Sequence, residues 1–270
     1  METGKGQDMK VSCKQNNRER NKIELVTRNL TKSFGELRAL DEVSIEVKSC
    51  ITLIIGPNGS GKTTLINVIT GFLGADKGRI LFGEKEVTNL PPHDIFKQGI
   101  VRTFQTSQPL LKLTVLENLL IAEANYGESI IQSFKRNWLA KEEALVKKAL
   151  STLSFLGIEH MWNEPAMNLS GGQLRLLEIG RALMCQAKLI IMDEPIAGIA
   201  PDLSHSILKK IRELSGRGIS FLIVEHRLDL VLGYVDRVYV MAGGRIVAEG
   251  RGKEVLENPR VVEVYLGDQG

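Results

Sequence analysis

The stretch Gly56-Pro57-Asn58-Gly59-Ser60-Gly61-Lys62-Thr63 decides the fold. It lies between the apolar run Ile51–Ile55 and a helical pattern that begins near Lys62. A strand, a glycine-rich loop and a helix in this order are typical of a phosphate-binding loop. The glycines let consecutive backbone N–H groups converge on phosphate oxygens, and the helix N-terminus adds positive potential. We therefore predict that residues 56–63 bind nucleotide phosphates, with Lys62 on the β- and γ-phosphates and the Thr63 hydroxyl on Mg²⁺.

A second apolar run, Leu189–Met192, ends in Asp193 and Glu194. Two carboxylates at the end of a buried strand cost free energy unless a cation compensates them, and Mg²⁺ is a natural compensator. Asp193 is predicted to contact Mg²⁺, directly or through water, and Glu194 to be the base that polarises the attacking water. Without other motifs, Asp193 and Glu194 could instead cap the next helix. The presence of a phosphate loop in the same chain favours the catalytic role.

A third motif, Leu169-Ser170-Gly171-Gly172-Gln173, precedes a helical pattern over residues 174–184. Ser170 would serve as an ordinary helix N-cap. A serine, two glycines and a helix N-terminus also make a second anion site, and the chain has no second nucleotide loop to fill it. The anion at this motif is therefore expected to come from another subunit.

The apolar pattern predicts an α/β fold. Continuous apolar strands indicate a parallel sheet covered on both faces, and they occupy residues 51–55, 189–192, 220–224 and 238–241. The partly alternating runs Ile23–Leu30 and Leu37–Val47, joined by a turn at Gly35 and Glu36, predict antiparallel strands.

The chain is predicted to divide into a flexible polar tail and one large domain. The tail covers residues 1–22 and the domain residues 23–270. Within the domain we assign the α/β core and β subdomain to 23–108 and 169–242, an inserted helical subdomain to 109–168, and a hairpin with a final helix to 243–270.

Composition limits the class of protein. The 270 residues are 43% hydrophobic and 25% charged with a net charge of +3, which suits a globular protein and does not demand a nucleic-acid partner. Cys13, Cys50 and Cys185 are widely spaced, which argues against a disulfide framework or zinc site and favours a reducing cytosol. The apolar runs are shorter than the roughly 20 residues that span a bilayer, and the N-terminal stretch lacks the apolar region of a signal peptide.

Together these motifs resemble the ATP-binding cassette (ABC) family over nearly the whole chain from Ile23. The resemblance implies a P-loop NTPase (RecA-like) core, ATP and Mg²⁺ as ligands, and ATP hydrolysis. It also adds residues to the site: Phe34 would stack on adenine, Thr64 would join the nucleotide-binding loop, Gln105 would sense Mg²⁺ and water, and His226 would contact the γ-phosphate. Each ATP would lie between the phosphate loop of one cassette and the Ser170–Gln173 motif of a second.

A closer resemblance is to the ATP-binding subunit of branched-chain amino-acid importers. The segments that carry it are Arg102-Thr103-Phe104-Gln105, Leu116-Glu117-Asn118-Leu119-Leu120, Glu225-His226-Arg227-Leu228-Asp229 and Val264-Tyr265-Leu266-Gly267. It implies a cytoplasmic location on the inner face of the membrane, a second cassette in a homo- or heterodimer, and two integral membrane permeases. An extracytoplasmic solute-binding protein would act indirectly. The region around residues 105–125 is expected to dock on a cytoplasmic helix of a permease.

Several alternatives stand beside this prediction. Cassettes for urea or short amides, and for lipopolysaccharide export, share parts of these segments. A soluble ABC ATPase would usually carry a coiled-coil insertion or tandem cassettes, and a nucleotide sensor would usually lack Glu194 or His226. The chain also departs from the common family pattern at Ala200, where many members carry Asp in the D-loop, and Ala lacks the carboxylate for the usual aspartate contact between cassettes.

Overall fold

The computed structural model describes residues 23–48, 50–103, 110–123 and 138–266. The predicted tail at 1–22 and the predicted site residue Gln105 lie outside these ranges. The strands are β1 Ile23–Phe34, β2 Leu37–Val43, β3 Glu46–Lys48, β4 Ile51–Ile55, β5 Lys77–Phe82, β6 Lys85–Glu86, β7 Ile100–Thr103, β8 Leu189–Asp193, β9 Ser220–Val224, β10 Arg237–Ala242 and β11 Arg245–Gly250. The helices are α1 Lys62–Ile69, α2 Pro92–Lys97, α3 Val115–Ala122, α4 Trp138–Leu156, α5 Gly171–Met184, α6 Pro201–Gly216, α7 Leu228–Val231 and α8 Pro259–Leu266, with short 3₁₀ turns at Glu159–Met161, Ala166–Asn168 and Gly252–Glu257.

The central sheet has the strand order β11-β10-β4-β9-β8-β7 within the described residues. Neighbouring strands from β10 to β7 are parallel, and β11 pairs antiparallel with β10. Every residue of β4, β8 and β9 is buried, as expected for a sheet covered on both faces. The four apolar strands predicted from the sequence are confirmed. The edge strand β7 was not predicted; it pairs with β8 from Ile100↔Leu189 to Thr103↔Met192.

The N-terminal strands form an antiparallel sheet in the order β2-β1-β5-β6, with β3 also paired to β1. The predicted antiparallel pairing and the turn at Gly35 and Glu36 are confirmed. The single strand predicted at 37–47 is wrong, because it is broken into β2 and β3. Thr27 of β1 spans the break: its hydroxyl donates to the Val43 carbonyl at 3.2 Å and accepts the Ile45 N–H at 2.9 Å. The first strand is also longer than predicted, since it continues to Phe34.

The C-terminal hairpin contacts the glycine-rich loop. Gly244, in the turn between β10 and β11, has φ +75° and donates its N–H to the Ser60 carbonyl at 3.2 Å. Its own carbonyl accepts the Asp41 N–H at 2.9 Å. The turn therefore links the loop to β2, and β11 extends the central sheet.

Helices α3, α4 and α5 pack on one another. Helix α3 begins with a capping box in which Thr114 and Glu117 exchange side-chain to backbone hydrogen bonds, which satisfies N–H groups at the helix start. Leu119, Leu153 and Leu176 are buried in the same apolar cluster as Ile51 and Leu53 of β4, so these helices share a core with the central sheet. Among the described helices, none combines the length and apolar character needed to cross a membrane.

Candidate active site

The backbone of the glycine-rich loop requires glycine. Gly56, Gly59 and Gly61 have φ of +151°, +76° and +100°. A Cβ on Gly56 would lie inside 3.0 Å of the Met241 carbonyl oxygen, and one on Gly61 inside 3.0 Å of the Ala39 carbonyl oxygen. Helix α1 starts at Lys62, directly after Gly61. The loop is thus fixed by β2 and β10 on either side, with a helix N-terminus at its end.

Lys62 is 7% exposed, and its ammonium group faces the loop. Nζ donates to the carbonyls of Gly56 and Pro57, each at 2.8 Å. Burial lowers the pKa of Lys62, and the charges of Asp193 and Glu194 oppose that shift. Because β4 and β8 both pair in parallel with β9, the loop after β4 and the acidic pair at the end of β8 lie at the same edge of the sheet, although they are far apart in the sequence.

Asp193 ends β8 and is 4% exposed. Burial raises its pKa, and the Arg102 guanidinium, whose Nη2 lies 3.6 Å from Oδ2, opposes the shift. Arg102 comes from the carboxyl end of β7, and its Nη1 also donates to the Asn67 side chain of α1. Arg102 and Lys62 therefore supply cationic compensation to the acidic strand end.

Glu194 and His226 lie side by side. The Nε2 atom of His226 is 3.3 Å from Oε1 of Glu194, and the two side chains are 43% and 26% exposed. Glu194 has φ +50°, an uncommon value for a residue with a Cβ. Its N–H donates to the Val224 carbonyl at 2.9 Å, which ties it to the end of β9. A strained, partly exposed carboxylate beside an imidazole can orient a water molecule and exchange a proton with it.

Four further residues of the predicted site are exposed or half-buried. Thr63 and Asn58 are exposed, and Thr64 is half-buried in the first turn of α1. Phe34, at the end of β1, is 47% exposed, with Nζ of Lys32 5.7 Å from its ring centroid. Its ring has a free surface on which a planar base can stack.

The Ser170–Gln173 motif begins α5, whose packing partners include α3, α4, α6 and β7. Ser170 is the N-cap, as predicted: its hydroxyl accepts the Gln173 N–H at 3.4 Å, and the Gln173 side chain accepts the Ser170 N–H at 2.9 Å. Ser170 and Gly171 are exposed. Gly172 is buried, and a Cβ there would overlap Leu203 of α6. The motif is thus anchored to α6 and open to solvent at its first two residues.

The sequence pattern does not predict a site role for two charged residues, half-buried Arg102 and buried Glu225. The position of Arg102 beside Asp193 depends on the pairing of β7 with β8. Glu225 is 2% exposed although it directly follows an apolar strand. A charged residue next to an apolar strand is a weak signal, because most such residues lie at the surface.

Comparison with known proteins identifies the family of the chain. Residues 40–197, more than half of the chain, match the family model described as ABC transporter. The chain therefore belongs to the ABC transporter family. Residues 245–270 match a second model, described as Branched-chain amino acid ATP-binding cassette transporter.

Relatives of the chain in several organisms are named for branched-chain amino acid transport. "Probable branched-chain amino acid transport ATP-binding protein LivG" of Archaeoglobus fulgidus is 59% identical over 246 residues, 91% of this chain and 96% of the relative. The protein of the same name from Methanocaldococcus jannaschii is 58% identical, covering 90% and 97%. The high-affinity LivG protein of Salmonella typhimurium is 36% identical, covering 90% and 98%.

Solved structures of ATP-binding cassettes from ABC transporters have the same fold as this chain. The ADP conformation of an ATP-binding cassette of an ABC transporter has a TM-score of 0.80 at 56% identity, covering 91% of this chain and 99% of that one. A nucleotide-free ATP-binding cassette has a TM-score of 0.79 at 57% identity, covering 90% and 98%. The predicted fold and family are confirmed.

Proposed function

We propose that this chain hydrolyses ATP to power a membrane importer of branched-chain amino acids. The observation that carries the proposal is the cluster of Lys62, Asp193, Glu194 and His226, in a chain whose relatives are named for branched-chain amino acid transport. Such a cluster combines a cation for phosphate oxygens, a buried carboxylate and a paired base in one place.

The residues would divide the reaction among them. The loop amides and Lys62 bind the phosphates, and Phe34 stacks on the adenine. Thr63, Asp193 and Gln105 would hold Mg²⁺, which would neutralise the charge that develops on the phosphates. The buried Asp193 carboxylate, with Arg102 on one side, fits this role because a metal adds the charge that burial otherwise disfavours.

Glu194 orients and polarises the attacking water, and His226 positions it against the γ-phosphate. The 3.3 Å separation of the two side chains supports this division, since each keeps the other in place. The exposed Ser170 and Gly171, at the N-terminus of α5, would bind the γ-phosphate of an ATP held by a second cassette. Loss of that phosphate then releases the two surfaces.

The permease partners would dock in a groove of about 620 Å³ between the central sheet and the helical region. Phe72, Phe96 and Ile121 line it with exposed apolar surface, being 52%, 36% and 59% exposed. Arg181 and Glu178 of α5 add charge. A mainly apolar groove with a few charged residues in its lining suits an amphipathic helix of a partner protein. Through it the chain would lie on the cytoplasmic face of the membrane.

Glu194→Gln tests the hydrolysis. We expect ATP binding to persist, turnover to fall by about 10²–10⁴-fold as for loss of a general base, and an ATP-bound dimer to accumulate in size-exclusion chromatography. Glu143→Gln is the matched control, because Glu143 is an exposed surface residue that pairs with Lys147. Undiminished hydrolysis by Glu194→Gln would remove Glu194 from the mechanism.

Ile121→Glu tests the docking. Co-purification with the permeases of the same transporter, followed by ATP-dependent leucine uptake into proteoliposomes, measures assembly and transport. We expect Ile121→Glu to lose both while the isolated chain keeps its ATPase activity. Met167→Glu is the control, since Met167 is similarly exposed at 65% and lies outside the groove. Normal assembly of Ile121→Glu would place the permease elsewhere.

A further inference from the structure

Glu225 is a buried carboxylate that binds backbone amides of two separate segments. It follows β9 and is 2% exposed. Oε1 accepts the Ile196 N–H at 2.9 Å, while Oε2 accepts the N–H groups of His226 at 3.1 Å and Arg227 at 3.4 Å. Burial raises its pKa, and these amides oppose the shift. A buried acid is retained at this cost only where its hydrogen bonds are needed.

A second side chain joins the same two segments. Arg227 donates from Nη1 to the Ile199 carbonyl at 3.1 Å. The segment 225–227 contains the predicted switch histidine. It therefore contacts both ends of the segment 196–199, Ile196 through Glu225 and Ile199 through Arg227. The second segment is the first part of the D-loop, the stretch that follows Glu194 and Pro195.

Glu194 contacts both segments. Its N–H donates to the Val224 carbonyl at 2.9 Å, its carbonyl accepts the Ala197 N–H at 3.2 Å, and its side chain meets His226. A shift of either segment would therefore change the distance between Glu194 and His226.

We propose that Glu225 is a positioning residue for ATP hydrolysis: its carboxylate fixes His226 and the D-loop segment 196–199 in one arrangement around Glu194. The inference rests on the proposed function. The side chains of Glu225 and Arg227, which bind the backbone of the segment 196–199, carry the coupling between the D-loop and His226. Movement of the D-loop at the dimer interface is thereby transmitted to the switch histidine.

Glu225→Gln is the main test. The substitution keeps the shape of the side chain but turns one acceptor oxygen into an NH₂ donor, so that in either orientation of the amide the contact to Ile196 or the contacts to His226 and Arg227 are lost. We expect kcat to fall about 10- to 100-fold, as for a small displacement of a catalytic group, while KM for ATP stays within about twofold because the phosphate loop is untouched. Glu225→Ala should lower kcat further.

Leu222→Ala is the matched control. Leu222 is 0% exposed and lies in β9, the strand that precedes Glu225. Its truncation lowers stability without removing a side-chain hydrogen bond. It should lower the melting temperature and leave kcat unchanged at an assay temperature well below the transition. Amide hydrogen exchange in the nucleotide-free chain gives a second readout. Ile196 and His226 should both exchange faster in Glu225→Ala, at least one of them should exchange faster in Glu225→Gln, and neither should change in Leu222→Ala.

The possible outcomes distinguish a failure of the proposed ATPase function from a failure of the positioning role of Glu225. Wild-type protein without ATPase activity would refute the proposed function and this inference with it. An active wild type whose Glu225→Gln variant keeps its kcat would refute the inference alone, as would unchanged amide exchange in the Glu225 variants. An equal loss of kcat in Leu222→Ala would reduce Glu225 to a stabilising residue.

Discussion

A pair of alanine substitutions in the phosphate loop tests how closely the neighbouring strands approach it. Gly59 and Gly61 both have left-handed backbones, with φ of +76° and +100°. Alanine at either position meets the same backbone penalty, about 1–2 kcal/mol, and the same gain from a stiffer unfolded chain. The two positions differ in their surroundings. A Cβ at Gly59 meets no heavy atom within 4 Å, whereas one at Gly61 would lie inside 3.0 Å of the Ala39 carbonyl oxygen.

The difference between the two variants therefore isolates steric overlap. Displacing a backbone carbonyl in a packed region costs roughly 1–3 kcal/mol, so Gly61→Ala should be less stable than Gly59→Ala by about that amount. A difference of about 2 kcal/mol corresponds to a gap of roughly 4–8 °C in melting temperature for a chain of this size.

Urea unfolding followed by circular dichroism, without nucleotide, measures this difference. Without nucleotide, the measured free energy of unfolding does not include any effect of the substitutions on nucleotide binding. The m-values should agree, since neither substitution changes the surface exposed on unfolding. Equal midpoints would mean that β2 does not approach the loop at Gly61, and the account of why glycine is required there would fail.

Three further predictions concern other parts of the site. Ser170→Ala removes the acceptor of a capping box and should destabilise the chain by about 1 kcal/mol, read from the urea midpoint; no change would mean that water replaces the hydroxyl at no cost. Lys62→Ala should weaken ATP binding about tenfold to a hundredfold through loss of charge-assisted hydrogen bonds, measured by calorimetry, while the circular dichroism spectrum stays unchanged. Burial raises the pKa of the Cys50 and Cys185 thiols, so their thiolate fraction stays small until the pH exceeds the usual range for cysteine. In a Cys13→Ser variant, iodoacetamide at pH 8 should therefore modify them more slowly than free cysteine, and unfolding should abolish the difference.

Motifs made of consecutive residues could be predicted from the sequence. The phosphate loop, the strand ending at Asp193 and the cap at Ser170 each combine a local backbone geometry with a chemical group, and the pattern of neighbouring residues is enough to indicate both. The continuous apolar strands were located for the same reason, because burial on both faces removes the polar alternation of a surface strand.

The less apolar edges of the sheets could not be located in this way. Strands β5 and β7 contain Lys77, Arg79 and Arg102 among their apolar residues, so neither shows a clear period. The break between β2 and β3 was missed because a hydroxyl of another strand, that of Thr27, bridges it. In both cases the deciding partner is distant in the sequence.

The sequence by itself determined the family, the nucleotide chemistry and most of the residues proposed to carry it, because these depend on short patterns with a fixed local geometry. Only the tertiary structure decided which charges face one another. The strand order β4-β9-β8-β7 places Arg102 beside Asp193, and the close approach of the strand ends brings Glu225 to the Ile196 amide. Arg102 and Asp193 are far apart in the sequence, as are Arg245 and Asp41. Such contacts follow from how the sheet assembles as a whole, and no local pattern of residues specifies that assembly.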